Sequence, residues 1–220
     1  MDSKTFVKEV EKRNRVFYEE LEVEKSFMSI RSEDPVKVHK MVRLRLKQGL
    51  YNELRVAEVS AAWIPNSPLK AQHLLARQVD DEFRHVRWVQ ARLKEIGEEK
   101  PWDWEPLDAY RDLFDFFMDC TPWDITERIM MNNYTEETIL AYWANVAFID
   151  VIEPFEPRTA ALYRKIQKDE VFHSRLGRVI LEEFATTEEK QEKAETARLK
   201  VLEIIKRIVP EWRERLASML

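Results

Sequence analysis

Apolar residues recur at helical spacing along most of the chain, and the stripes are punctuated by proline, glycine and Ser/Thr clusters. Residues 3–28 alternate charged and apolar positions and predict a first helix. Ser32-Glu33-Asp34-Pro35 reads as a turn with proline at the start of the next helix. From Val36 to about Trp63 a stripe runs through Val42, Leu46, Leu50, Val56, Ala57 and Ser60. Ile64-Pro65-Asn66-Ser67-Pro68 interrupts it, with Ser67 placed as a cap and Pro68 at the first helical position. The following helix reaches about Glu95, and Gly97 stands where a C′ glycine would.

Pro101 to Pro106 is a crossover connection ahead of a short helix near 107–119. Thr121-Pro122 opens another helix that breaks around Asn132-Asn133, and a helix from about Thr135 to Glu153 follows. Pro154 to Pro157 ends it. The longest helix then runs from about Arg158 to Phe184, Thr186-Thr187 caps a charge-rich helix to about Ile208, and Pro210 opens a short terminal one. No segment alternates with the period of a strand. The expectation is an all-α protein: one domain over 1–220, with a four-helix core at about 36–185 and flanking helices at 3–28 and 187–220.

Composition agrees with that reading. The chain has 220 residues, 45% hydrophobic and 35% charged, with three glycines, which suits long amphipathic helices. A net charge of −5 without a basic stripe argues against a nucleic-acid partner. The single cysteine, Cys120, excludes an internal disulfide framework and a Cys-based zinc site, and suits a reducing compartment. The charged start, Met1-Asp2-Ser3-Lys4, has no apolar leader, and no apolar run is long enough to span a bilayer. A soluble, cytoplasmic protein without a membrane partner is expected.

The chemistry lies in a repeat. Asp81-Glu82-Phe83-Arg84-His85-Val86-Arg87 is echoed by Asp169-Glu170-Val171-Phe172-His173-Ser174-Arg175, each on a long predicted helix. Glu and His three positions apart project from one helix face, so both can reach one metal ion. Glu82 and His85 interrupt the stripe Leu74, Leu75, Val79, Val89, Leu93; Glu170 and His173 interrupt Tyr163, Ile166, Gly177, Ile180, Phe184. A lone Glu-x-x-His in a charged helical protein is commonly a solvated ion pair. Two copies on core-facing stripes need compensation for buried charge, and bound cations supply it.

Such a centre needs one carboxylate from each of two further helices. Glu53 lies on the preceding stripe, about 16 Å before the Ile64 turn, and Glu82 about 21 Å beyond Pro68, so their depths match within about a turn at 1.5 Å per residue. Glu58 is the competitor, but it shares its face with Tyr51 and Arg55. Depth matching back from Glu170 lands near Ala141; Glu137, one turn further on the face of Leu140, Ala141, Ala144 and Phe148, is the choice, with Glu136 and Asp150 as alternatives. A first-turn glutamate favoured by the helix dipole is the competing account of Glu137. Asp81 and Asp169 are placed to accept the spare N–H of a ligand histidine, or are ordinary solvent-facing aspartates. Gly49 and Gly177 sit inside helices at a cost of about 1 kcal/mol each against Ala. Space for dioxygen or substrate beside the metals and close helix packing are the two explanations.

With Glu53 and the repeated Asp-Glu-x-x-His, the chain resembles the ferritin-like superfamily of di-iron carboxylate proteins. The closest resemblance is to the phenylacetate-catabolism family, the catalytic subunit of phenylacetyl-CoA epoxidase and its relatives. It rests on Glu53 ten positions before Trp63-Ile64, on Gln78-Val79-Asp80-Asp81-Glu82-x-x-His85, and on Lys168-Asp169-Glu170-Val171-Phe172-His173. It covers roughly 36–185, and residues 120–140 depart from it. It implies two iron ions, or manganese, on Glu53, Glu82, His85, Glu137, Glu170 and His173, and a centre that activates dioxygen to oxidise an organic substrate, an aromatic or acyl-CoA compound.

Electrons would come from an external reductase, since the chain carries neither a nucleotide-binding fingerprint nor a cysteine cluster. Competing readings are a metal-handling or oxidative-stress protein (ferroxidase or peroxide scavenger) and a non-catalytic scaffold subunit. Bundles of this type commonly pair through apolar faces, so a homodimer or a complex with related subunits is expected.

Overall fold

The computed structural model describes residues 1–23 and 34–219. Helix α1 (Ser3–Glu20) is capped by Asp2, whose side chain accepts from the Thr5 N–H at 3.0 Å. The remainder of the expected first helix, 24–28, and Ser32 and Glu33 of the expected turn lie outside the described residues.

Helix α2 (Pro35–Trp63) starts as its sequence dictates, with Pro35 in the first turn and the Asp34 carboxylate accepting from the Val36 N–H at 2.9 Å. A short 3₁₀ turn, Ile64–Asn66, reverses the chain into α3 (Leu69–Glu95), and the two helices pack as an antiparallel hairpin. Ser67 does not cap α3 as expected. Its hydroxyl donates back to the Trp63 carbonyl at 2.7 Å and accepts from the buried Arg128 at 3.2 Å, which ties the hairpin turn to the third core helix. At the other end Gly97 takes φ +83°, with Gly97 N–H bonding Lys94 O at 3.1 Å and Glu98 N–H bonding Leu93 O at 2.9 Å. That is a Schellman end, which needs the left-handed conformation glycine adopts freely.

The crossover carries α4 (Asp108–Asp119). Helix α5 (Ile125–Met131) begins at an Asp124–Glu127 capping box, not at Thr121-Pro122, because Asp124 offers the carboxylate acceptor and Glu127 returns the bond. The expected break at Asn132-Asn133 does not occur. The chain widens there into a π-helical segment, Asn132–Trp143, and narrows again into α6 (Ala144–Ile152), so 125–152 is one continuous rod. The long α-helix expected from Thr135 is α-helical only from Ala144. Helix α7 (Pro157–Phe184) follows. Thr187 caps α8 (Glu188–Met219), accepting from the Lys190 N–H at 3.3 Å. Pro210 sits within α8, which continues through it instead of restarting.

The expected all-α bundle is therefore the architecture: α2, α3, the 125–152 rod and α7 form the core, α1 lies against α7 and the π-helical segment, and α8 lies against α4 and α5. Leu46, Leu50, Trp63, Phe148 and Tyr163 are fully buried between the core helices. Asn14 of α1 donates to the Tyr134 carbonyl at 2.9 Å, Tyr134 donates to Val7 O at 2.9 Å, and Arg198 of α8 donates to Asn14 Oδ1 at 2.9 Å. These bonds splint the π-helical segment, whose own hydrogen bonding is loose. Among the described residues no helix is long and apolar enough to cross a membrane.

Candidate metal centre

Each core helix contributes a carboxylate at the same depth. Glu53 comes from α2, Glu82 and His85 from α3, Glu136 and Glu137 from the π-helical segment, and Glu170 and His173 from α7. Potential ligand atoms of Glu53, Glu82, His85 and Glu170 lie within 4.8 Å of one another, and so do those of Glu82, Glu137, Glu170 and His173. Glu82 and Glu170 belong to both groups. The six residues singled out as ligands from the sequence thus come together as two overlapping clusters.

The histidines define the geometry. His85 Nδ1 lies 3.1 Å from Glu53 and 3.2 Å from Glu82, and His173 Nδ1 lies 3.0 Å from Glu170 and 3.1 Å from Glu82. The ring centroids are 6.1 Å apart. Both Nδ1 atoms face the cage, and both Nε2 atoms face the expected aspartates, but crosswise. His85 Nε2 is 3.1 Å from Asp169, and His173 Nε2 is 3.5 Å from Asp81. Each motif's aspartate therefore serves the other motif's histidine. Arg84 donates to both, to Asp169 at 3.0 Å and more closely to Asp81, and so clamps the pair.

Of the alternatives to Glu137, Asp150 is exposed, whereas Glu136 is buried beside Glu137 and lines the same cavity. Adjacent residues of an α-helix diverge by about 100°; the wider π turn brings both carboxylates toward the interior. Gln78, one turn before Glu82, donates to Glu137 at 2.7 Å and accepts from Asn133 at 2.7 Å. Glu58 pairs with Arg55 at 2.6 Å and stays away from the cage.

The electrostatics are those of a cage short of positive charge. Burial pushes Glu53 and Glu136 up to about 8, the former only partly offset by His85. Burial and the neighbouring Glu170 and Glu82 raise Glu137 well above the usual range. His85 rises to about 11: its burial opposes charging, but hydrogen bonding and attraction to Glu53 and Glu82 outweigh it. His173 is raised likewise by Glu82 and Glu170 against its own burial. Glu82 alone goes far down; burial would raise it, but both histidines hold it ionised. Without cations the cage must hold several protons. That is the condition in which divalent ions displace protons and settle among carboxylates and imidazoles, so the residues present fit a metal site.

The two glycines divide. A Cβ on Gly177 would meet the Asn133 backbone at 3.0 Å, so close packing of α7 on the π-helical segment requires it, not space beside a metal. Gly49 lines the cage cavity, and a Cβ there would meet the Tyr163 hydroxyl at 2.9 Å and the Arg45 guanidinium at 3.5 Å.

No family model and no curated protein matches the chain. Among solved structures it is similar to a domain of unknown function with a heme oxygenase-like fold from Shewanella denitrificans OS217. The two are 14% identical, the match covers 96% of this chain and 94% of the other, and the TM-score is 0.73. At that identity the likeness concerns the fold. It establishes a heme oxygenase-like helical bundle, a fold related to the ferritin-like one that the motifs suggested.

Proposed function

We propose that the chain is a di-metal carboxylate oxidoreductase, with iron as the metal and manganese as the alternative, that uses dioxygen to oxidise a small organic substrate. The observation that carries this reading is the pair of overlapping Glu/His clusters sharing Glu82 and Glu170. Mixed carboxylate and imidazole donors suit iron, and clusters this close suit two ions bridged by shared carboxylates. Glu53 and His85 would hold one ion, Glu137 and His173 the other, with Glu82 and Glu170 between them.

When bound, iron of this kind supplies redox chemistry with dioxygen. The protein's own contribution is positional. Asp169 fixes the outward Nε2 of His85, Asp81 stands 3.5 Å from that of His173, both rings turn Nδ1 to the cage, and Arg84 holds both aspartates. Gln78 orients Glu137, and the buried aliphatic and aromatic layers on either side limit water. An external reductase is the expected electron source. The narrower kinship with phenylacetyl-CoA epoxidase rests on the short motifs around Glu53, Glu82 and Glu170. The cage cavity, about 30 Å³, and a mainly apolar cavity beside it, about 40 Å³, leave room only for a small substrate. They lead us to favour an unactivated organic molecule over a CoA thioester.

The test is metal content of the purified chain by elemental analysis, with anaerobic iron loading, in the native protein and in Glu82→Ala/Glu170→Ala. Two ions per chain, lost from the double variant while helicity by circular dichroism is kept, supports the reading. Folded native protein that takes up no iron overturns it.

A further inference from the structure

Arg45 lies on α2 two turns before Glu53, about 12 Å at 1.5 Å per residue, with Gly49 between them on the same face. Arg45 as a whole is half-buried, and its guanidinium lies over the rings of Tyr163 and Phe148, 5.2 and 5.7 Å from their centroids. It donates from Nη2 to Asn145 Oδ1. Among the described residues no carboxylate pairs with it, and Nε and Nη1 have no hydrogen-bond partner. Burial works against its charge, while Tyr163, Tyr110 and, from across the cage, Glu53 and Glu136 hold it protonated; none of those carboxylates reaches it closely enough to complete its fork. Gly49 keeps the space that a side chain would take from Arg45 and Tyr163.

The surroundings say what it is for. Arg45 lines two cavities at once. One, about 30 Å³, is the carboxylate cage with Glu53, Glu82, Glu136, Glu137 and Glu170. The other, about 40 Å³, is walled by Tyr110, Leu140, Ala144, Ile208, Val209 and Trp212. Tyr110 and Leu140 also line both. Arg45 therefore stands at the junction of a metal-binding chamber and an apolar one, and its open donors match the planar fork that a carboxylate completes.

We propose that Arg45 is the anchor of a substrate pocket for a small organic acid. The carboxylate sits on the guanidinium and the hydrocarbon part fills the apolar cavity. This rests on the metal-centre reading and names its substrate class. A cavity needs about 10–15 Å³ to hold one water, so the apolar chamber fits a short chain and not a long acyl tail. With the tail there, the carbons next to the carboxylate are the ones nearest the cage.

The experiment is isothermal titration calorimetry on anaerobically iron-loaded protein with hexanoate, hexanamide and 1-hexanol, repeated on Arg45→Gln and Arg45→Lys. Hexanoate is expected to bind the native protein about tenfold or more tightly than the amide, the scale of a charge-assisted hydrogen bond. Arg45→Gln should abolish that preference and Arg45→Lys keep part of it, with iron content unchanged. Equal binding of acid and amide to native protein, or undiminished hexanoate binding in Arg45→Gln, overturns the proposal. If the glutamine variant fails to fold, the acid-to-amide comparison in native protein decides alone. Native protein that loads iron and binds none of the three probes overturns this proposal and leaves the metal centre standing. Failure to load iron overturns the metal centre instead, and hexanoate preference is then read on the metal-free chain.

Discussion

Asp169 lies 3.1 Å from Nε2 of His85, a residue not of its own motif but of the other copy, on the facing helix. The reciprocal pair, Asp81 with His173, is 3.5 Å apart, and one guanidinium, Arg84, bonds both aspartates. The two halves of the repeat are interlocked, so the setting of each histidine depends on both helices.

Asp169→Asn should therefore weaken the ion held with His85 more than the one held with His173, and Asp81→Asn the reverse. Loss of an outer partner of a ligand histidine commonly costs about 10–100-fold in metal affinity. Cobalt(II) titration followed by visible absorption resolves the two sites. Equal loss at both sites in either variant contradicts the crosswise assignment. Arg84→Gln should weaken both, and its effect should not add to that of Asp169→Asn.

Ligand substitutions should differ in stoichiometry. Glu82→Gln and Glu170→Gln remove a carboxylate common to both clusters and should cost both ions, whereas Glu53→Gln and Glu137→Gln should each cost one. Glu136→Gln should leave two. Elemental analysis after desalting measures this directly, and retention of both ions in Glu137→Gln with loss in Glu136→Gln would exchange their roles.

Stability of the metal-free chain should fall with rising pH. Glu53 and Glu136 have folded-state values near 8 against 4.5 for the free side chain, so the fold holds protons that the unfolded chain releases. Their stabilisation is complete below about pH 4.5 and is lost as pH rises through about 8; His85, raised to about 11, acts in the same direction. Thermal melts from about pH 6 to about pH 9 should show a decreasing Tm without metal. Iron(II) should raise Tm most at the alkaline end, because binding displaces those protons. A metal-induced shift that shrinks as pH rises would contradict the linkage.

Gly177→Ala should destabilise the protein although alanine favours helix by about 1 kcal/mol. The new Cβ meets the Asn133 backbone at 3.0 Å, and overpacking of this kind costs about 1–3 kcal/mol. Urea unfolding should give a net loss of about 1 kcal/mol. A gain in stability would show that the π-helical segment can move away freely.

The legible parts of the site were those set by local geometry. Glu-x-x-His on one helix face follows from the α-helical period, and Glu53 follows from counting rises from a turn. What the sequence could not show depends on which helix faces which. The crosswise aspartates need the tertiary pairing of α3 with α7. That Glu136 and Glu137 both turn inward needs the π turn, for which Asn132-Asn133 gave only the signal of a break. Arg45 reads in sequence as one more solvated cation between Arg43 and Lys47; only the packing of Tyr163 and Phe148 against it removes it from that class. Pro210 reads as a helix start, yet α8, packed on α4 and α5, continues through it.

The bond from Arg198 to Asn14, and from Asn14 to the carbonyl of Tyr134, has a consequence for how the protein is made. Translation delivers Arg198 long after Glu53, Glu82, Glu137 and Glu170. Until it emerges, Asn14, which splints the wall carrying Glu136 and Glu137, lacks its outer brace. An ion taken up by the cage would therefore be fully enclosed only once residue 198 is in place, and a chain shortened before residue 198 would carry the ligands in a less firmly held wall.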